Sequence, residues 1–264
     1  MAWRSSGATN RDLIENLWRN DLIKDSKVKE AFLKVCFGHS RSLWDRGYLR
    51  AYRLNGWALM FDKVDRAHYA PSSAYEDSPQ PIGHSATISA PHMHATAVES
   101  LLPYLLPSEA RPAPRVLDIG SGSGYLTHVM AELTGERGTV VGVEHITPLR
   151  DLGASNMAKS AEGRALLASG QARFRVGDGR KGWVEPGQEG EKWDAIHVGA
   201  SATDVHTELL SQLKAPGRMF IPVDDDEGGW SQHVWCVDKD EKGEVTKKKL
   251  FGVRYVPLTD APKY

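Results

Sequence analysis

Apolar residues in the first third of the chain recur at helical spacing. Leu13, Ile14, Leu17 and Trp18, followed by Leu22 and Ile23, fall near a 3.6-residue period and predict a helix with one apolar stripe. Val28, Ala31, Phe32 and Val35 continue the spacing in a second short helix after Ser26. Residues 70–83, rich in Pro, Ser and Gly, predict a loop. Residues 94–106 predict a further helix that Pro103 bends or ends.

From Arg115 short apolar runs alternate with longer amphipathic ones. Strands are predicted over 116–119, 138–143, 172–176, 193–198 and 218–223, and helices over 124–134, 147–160, 161–169 and 204–213. Strands separated by helices need crossover connections, which implies an α/β fold with a mostly parallel sheet covered on both faces. Residues 232–237 and 245–256 are strand-like and joined by the polar run Asp238-Lys239-Asp240-Glu241-Lys242-Gly243. That is a hairpin signal, so the sheet is expected to finish with antiparallel C-terminal strands. The expected organisation is an N-terminal helical region over 1–110 and an α/β core over 111–264, together one compact domain.

Composition narrows the classes. At 264 residues, with 41% hydrophobic and 25% charged positions, the chain can bury a sizeable core. Lys plus Arg number 33 against 34 Asp plus Glu, which gives no broad basic field and no expectation of a nucleic-acid partner. Lys247-Lys248-Lys249 stands beside an acidic turn and reads as a solvated hairpin arm rather than a phosphate patch. No apolar stretch approaches the roughly 20 residues that span a bilayer, and the first twenty residues lack a signal peptide's apolar core. Cys36 and Cys236 are read as reduced thiols, and a cytoplasmic monomer without membrane contact is expected.

Candidate chemistry begins at Val116-Leu117-Asp118-Ile119-Gly120-Ser121-Gly122-Ser123-Gly124. Glycines spaced by two, after a strand and opening a helix, let backbone approach a ligand where a Cβ would clash. Dinucleotide enzymes use similar glycines, but their fingerprint wants Gly or Ala where Tyr125 stands. Asp118 sits ahead of the first glycine, and a carboxylate there suits the cationic sulfonium and α-amino groups of S-adenosylmethionine while repelling a pyrophosphate. Glu144 ends the next strand, where an acid can accept from both ribose hydroxyls. Asp178 ends the strand after that and can accept the adenine amino proton, with Gly179 letting the base lie close. The alternative for both acids is that they cap following helices.

Several further segments, with the loop and the acids, resemble the protein-L-isoaspartate (D-aspartate) O-methyltransferase family. They are Asp77-Ser78-Pro79-Gln80, Ala86-Thr87-Ile88-Ser89-Ala90-Pro91-His92-Met93-His94-Ala95, Val176-Gly177-Asp178-Gly179-Arg180, Asp194-Ala195-Ile196-His197-Val198-Gly199-Ala200 and Tyr255-Val256-Pro257-Leu258-Thr259-Asp260. Met1-Ala2-Trp3 is similar to the opening of the animal members. The resemblance implies a Rossmann-like S-adenosylmethionine-dependent methyltransferase fold, and S-adenosyl-L-homocysteine as product. It implies methylation of the abnormal carboxyl group that forms when Asn deamidates or Asp isomerises, the ester then collapsing to a succinimide. Isoaspartyl-containing proteins and peptides are the partners it implies.

For individual residues, the resemblance implies that Ser89 orients the acceptor carboxylate with its hydroxyl; read alone, Ser89 is a helix N-cap. It places Ala86, Thr87, Ile88 and His94 against the cofactor, along with Ser121, Ser123, His145 and Thr259. His197 and Val198 would line the acceptor pocket, although a satisfied core histidine is an equal reading of His197. Val256, Pro257, Leu258 and Thr259 would hold the acceptor's peptide backbone. No metal is expected, because His92 and His94, two apart on a helix, point to different faces. Other readings are a methyltransferase for a small-molecule or RNA acceptor, and a non-catalytic Rossmann-like binding protein. Tyr125 and Asp118 disfavour a nicotinamide oxidoreductase.

Residues 36–64, which hold Trp44, Tyr48, Tyr52, Trp57 and Phe61, have no counterpart in the resemblance. Lys34-Val35 recurs as Lys63-Val64, so removing the block joins Val35 cleanly to Asp65. The block is read as unspliced intron sequence, with a genuine insertion near the N-terminal helices as the alternative. Mass spectrometry of the native protein is expected to find no tryptic peptide from within residues 44–52; finding one removes the intron reading.

Overall fold

The computed structural model describes residues 2–33, 64–225 and 231–260. Helix α1 (Asn10–Arg19) begins where the Thr9 hydroxyl accepts the Asp12 amide at 3.2 Å, satisfying one of the unpaired N–H groups of a helix start. It buries Leu13, Ile14 and Leu17. Leu22 and Ile23 lie beyond its end, yet Ile23 still reaches the core. Helix α2 (Ser26–Leu33) buries Val28, Ala31 and Phe32. Val35 and, apart from Val64, the 36–64 block lie outside the described residues.

Part of the loop expected over 70–83 is a strand. β1 (Gln80–Gly83) and β2 (Ala86–Ile88) pair antiparallel across His84 and Ser85, whose φ values are +52° and +57°. Two left-handed central residues make a primed hairpin turn, which usually advertises itself as Asn-Gly or Asp-Gly. The His-Ser pair hides it. Helix α3 (Pro91–Leu105) starts three residues earlier than predicted, because proline at a first helical position gives up no bonded N–H. Pro103 lies within its last turn and neither stops nor shortens it.

The core then runs β3 (Arg115–Ile119), α4 (Tyr125–Leu133), β4 (Thr139–Glu144), α5 (Thr147–Met157), α6 (Ala161–Ala168), β5 (Ala172–Val176), β6 (Trp193–Val198), α7 (Thr207–Gln212), β7 (Leu213–Asp224), β8 (Gln232–Lys239) and β9 (Val245–Val253). The sheet order is β5-β4-β3-β6-β7-β8-β9. The first five strands are parallel and the last two join antiparallel, as the alternation and the polar turn predict. β7 is twice as long as expected, because it begins at Leu213, which pairs with Trp193 of β6, and α7 is correspondingly shorter. β9 stops at Val253, so residues 254–260 leave the sheet. Lys247, Lys248 and Lys249 lie exposed on β9, the solvated arm expected.

Strand alternation divides the core in two. Val116, Val140, Ala195 and Phe220 face α3, α4 and the N-terminal helices in one continuous cluster. Leu117, Ile119, Val141 and Ile196 face the other way, with Leu209 of α7. Among the described residues, no helix is long and apolar enough to cross a membrane.

Leu101, fully buried in α3, carries the contact between that helix and the sheet. Leu101→Ala is expected to cost about 2–5 kcal/mol, read as a lower urea midpoint with unchanged slope.

Candidate active site

The strand order reverses between β3 and β6, and in open α/β sheets ligands bind at the carboxyl ends of strands at such a point. The glycine loop occupies it. Gly120, Gly122 and Gly124 have φ of +73°, +47° and +83°, a region that side-chain-bearing residues avoid. A Cβ on Gly122 would press on Ile82 of the β1–β2 hairpin at 3.3 Å. Gly124 has a different reason: its Cβ would meet the Gly153 backbone at 2.8 Å, so it lets α4 and α5 pack, and it lines neither the cleft nor the recess described next. The Gly120 amide donates to the Val143 carbonyl at 2.8 Å, which ties the loop to β4.

Beside the loop lies a cleft of about 710 Å³. Ala86 and Thr87 of β2 form one wall, Gly120 and Gly122 another, and Gly179 borders the far side. Glu144 and His145 line it from the end of β4. Glu144 Oε1 accepts from the amides of His145 (2.9 Å) and Ile146 (3.1 Å), while Oε2 accepts from Gly122 (3.1 Å). The acid therefore serves the α5 terminus, the loop and the cleft together, so capping and ligand placement are compatible. Asp178 does not line the cleft. Its carboxylate accepts from the Arg180 amide at 3.0 Å and from the Arg180 guanidinium at 2.9 and 2.8 Å, which holds its carboxyl below the usual carboxylate range.

A small recess of about 30 Å³ adjoins the cleft and shares Thr87, Gly120 and Gly122 with it. Ile88, Ser89, His94, Asp118 and His197 line it, as do Ser121 and Ser123. Asp118 and His197 are register partners on β3 and β6, and His197 Nδ1 meets Asp118 Oδ1 at 2.8 Å. The Thr127 hydroxyl donates to Asp118 Oδ2 at 2.5 Å. The carboxylate thus has protein partners on both oxygens before any ligand arrives, with lone pairs left over. His197 also stacks on Phe220, ring centroids 6.1 Å apart. His197 is thus paired with Asp118 and also borders the recess. Val198 is enclosed in the sheet core and borders neither cavity.

The arrangement fits S-adenosylmethionine on its own evidence. Ser121 Oγ is buried without a protein hydrogen-bond partner beside the recess, an acceptor and donor waiting for polar groups. The positive-φ glycines leave room for close backbone approach, and Glu144 offers a carboxylate at a strand end. His92 and His94 diverge as their spacing predicts. His92 bonds Asp77 Oδ1 through its amide (2.9 Å) and Nδ1 (2.8 Å), whereas His94 faces the recess. Among the described residues, no three His, Cys, Asp or Glu side chains are grouped to hold a metal.

Residues 256–260 line the cleft from the C-terminal end of the chain's described part. Ser201 N donates to the Val256 carbonyl at 2.8 Å, and Leu258 N donates back to Ser201 at 2.7 Å. His145 Nδ1 lies 2.8 Å from the Thr259 carbonyl, and Arg180 binds Asp260 as well as Asp178. Val256, Pro257, Leu258 and Thr259 all border the cleft. Sequence reasoning therefore placed this segment at the site but missed how the ends of β4 and β5 anchor it.

It also missed Arg66. This arginine is fully buried, and its Nη2 donates to the Ser89 carbonyl at 2.9 Å. Its Nη1 lies 3.4 Å from His94 Nδ1, and its guanidinium stands 5.3 Å from the Tyr125 ring centroid. Burial lowers its pKa to about 10, against the raising influence of Tyr125 and Asp77. Arginine can only donate, so His94 Nδ1 is the bare nitrogen and the ring proton sits on Nε2. Burial, then the charge of Arg66, then His197 and His92, hold His94 well below the usual histidine range. Asp65-Arg66 preceding an apolar Tyr69-Ala70 was the available signal, but nothing local says that a charged residue is buried.

Comparison with known proteins agrees with this geometry. A family model described as protein-L-isoaspartate(D-aspartate) O-methyltransferase matches residues 43–263. An Arabidopsis thaliana protein-L-isoaspartate O-methyltransferase 2 is 46% identical over 204 residues, covering 76% of this chain and 62% of that longer protein. The Caenorhabditis elegans protein-L-isoaspartate O-methyltransferase is 38% identical over 259 residues, 98% of this chain and 96% of that one. A solved structure of a Plasmodium falciparum protein described as a protein-L-isoaspartate O-methyltransferase, in complex with S-adenosyl-L-homocysteine, superposes with a TM-score of 0.76 at 28% identity, covering 97% of this chain and 100% of that one.

His94 gives a pH prediction. Its neutral form is kept in the folded state, whereas the unfolded chain takes up the proton near the ordinary histidine pKa of ~6.5. Stability from this residue is therefore intact above pH ~6.5 and lost as pH falls toward the depressed folded value, with a slope approaching ~1.4 kcal/mol per pH unit. Urea unfolding at several pH values between about 7.5 and 5.5 should show the wild type losing more stability than His94→Gln. A constant difference between the two proteins would contradict a buried neutral His94.

Proposed function

The chain belongs to the protein-L-isoaspartate(D-aspartate) O-methyltransferase family, and we infer from that premise that it methylates the free carboxyl group of L-isoaspartyl and D-aspartyl residues in altered proteins and peptides. S-Adenosylmethionine, when bound, supplies the electrophilic methyl group. The observation that carries the reading is spatial: Ser89, the glycine loop and residues 256–259 come from three distant parts of the chain and meet at one strand-end cleft and its recess.

The acceptor is a carboxylate, ionised at neutral pH and already nucleophilic. The protein therefore needs no general base, only alignment of the acceptor oxygen and exclusion of water. The Ser89 hydroxyl is the donor that fixes the acceptor oxygen, and the bond from Arg66 to the Ser89 carbonyl holds that residue in place. Glu144 and Gly122 hold the adenosine side of the cofactor, and Asp118, Ser121 and His94 border its amino-acid end. Asp178 acts at the rim, through Gly179 and Arg180. The segment 256–259 runs extended beside the cleft and can take up the acceptor's backbone by strand-like pairing. A cytoplasmic monomer that works on proteins and peptides, with no nucleic acid or membrane, is the setting we assign.

Transfer of labelled methyl to matched isoaspartyl and aspartyl peptides tests this. Labelling is expected on the isoaspartyl peptide; equal labelling of both, or none, defeats the assignment. In the same assay Ser89→Ala should lower kcat about 10–100-fold, the loss of one hydrogen bond to a charged group. Glu144→Ala should weaken S-adenosylhomocysteine binding by a similar factor. Asp178→Ala should weaken it less, because that carboxylate is spent on Arg180.

A further inference from the structure

Two side chains of the C-terminal segment rest on one short turn. The 3-10 turn Gly179–Lys181 follows β5 and is built by Asp178, whose carboxylate accepts the Arg180 amide at 3.0 Å. A Cβ on Gly179 would stand 2.3 Å from Ile119 and 3.2 Å from Leu258 Cδ1, so a bare glycine lets β3 and Leu258 close on the turn. The next residue, Arg180, takes Asp260: its Nη2 donates both to Asp178 Oδ2, at 2.8 Å, and to Asp260 Oδ1. Its Nε donates to Asp178 Oδ1 at 2.9 Å, so a two-bond fork fixes the guanidinium before it reaches Asp260. Leu258 and Asp260 are two apart, the spacing of side chains on one side of an extended run. That alternation turns Thr259, between them, to the opposite side, and its carbonyl lies 2.8 Å from His145 Nδ1.

We propose that Arg180 is a positioning residue for acceptor binding, holding Asp260 so that the extended segment 256–259 keeps one fixed face toward the acceptor. The proposal rests on the reading given above that this segment takes up the acceptor's backbone. Side chains of an extended run alternate, so a slip by one residue would exchange the faces of Pro257, Leu258 and Thr259. Ser201 pins the segment through backbone bonds to Val256 and Leu258. Past Leu258 the hold passes to the Thr259 carbonyl on His145 and to Asp260 on Arg180. A planar guanidinium anchored bidentately on Asp178 sets the direction of its remaining bond, which a lysine's point charge would not. The Asp260 side chain is 81% exposed, so this pair adds little to folding and its effect is local.

Kinetics and hydrogen exchange test it separately. Arg180→Ala should raise KM for an isoaspartyl peptide about two- to fivefold, the reach of a partly exposed ion pair, with kcat and S-adenosylhomocysteine affinity held. Asp260→Ala, at a position too exposed to unfold the protein, should do the same, and the double variant should be no worse than either alone. Additive losses, or cofactor binding weakened as much as KM is raised, would overturn the proposal. Without substrate, Arg180→Ala should speed exchange of the Leu258 amide, which donates to the Ser201 carbonyl, and leave the β5 amides protected. Unchanged exchange at Leu258 overturns the proposal, and exchange raised through β5 shows a merely structural arginine. A wild type inactive on the isoaspartyl peptide removes the functional reading and this role with it; an active wild type whose KM neither variant moves removes only the role of Arg180.

Discussion

A guanidinium sealed away from water imposes strict terms on its surroundings. Desolvating an ion costs several kcal/mol unless each N–H finds an acceptor, and a charge in the core tolerates little displacement of those acceptors. Arg66 answers with the Ser89 carbonyl, His94 Nδ1 and the face of Tyr125, while its Nε is left without a partner. Those groups come from the entry to α3 and the first residue of α4, while Phe32 of α2 and Tyr69 pack on the same Tyr125 ring at 5.9 and 5.3 Å. One buried charge thereby fixes the N-terminal helices, the hairpin exit and the helix that follows the glycine loop in a single arrangement. It also settles the protonation of His94.

The sheet contributes through its register. Phe174, Gly142, Asp118, His197 and Phe220 are successive cross-strand partners, a row on one face of the sheet. At its centre the Asp118–His197 pair lies beneath the recess, flanked by aromatic rings. Gly142 keeps the row open, since a Cβ there would lie 2.9 Å from the Ser121 side chain. A pair of polar side chains is affordable in this core because each satisfies the other and Thr127 completes the set.

The C-terminal segment is joined to the strand ends beside the cleft by short contacts. His145, next to the cleft acid Glu144, holds the Thr259 carbonyl, and Arg180 links Asp178 at the end of β5 to Asp260. The segment that lines the cleft is therefore anchored beyond the ends of β4 and β5.

Much of this was legible locally. Apolar periodicity gave the strands 172–176 and 193–198 and the antiparallel finish, because burial on one face or both writes itself into two- and 3.6-residue repeats. The glycine run and Glu144 were readable because a ligand at a strand end restricts the residues of one short turn. The hairpin at His84-Ser85 was not, since its left-handed turn lacks the usual residues and is held by what packs on it. Gly124 looked like a ligand glycine, yet its room is filled by Gly153, 29 residues on in sequence but adjacent in space. Arg66 as a core cation and Asp178 turned aside to Arg180 depend on pairs whose members are far apart or whose orientation is set by packing. The sequence by itself determined the strand-helix alternation, the glycine loop and the segments that carry the family resemblance. Only the tertiary structure decided which polar groups are already satisfied and which are left to a ligand, because hydrogen-bond satisfaction belongs to neighbours in space.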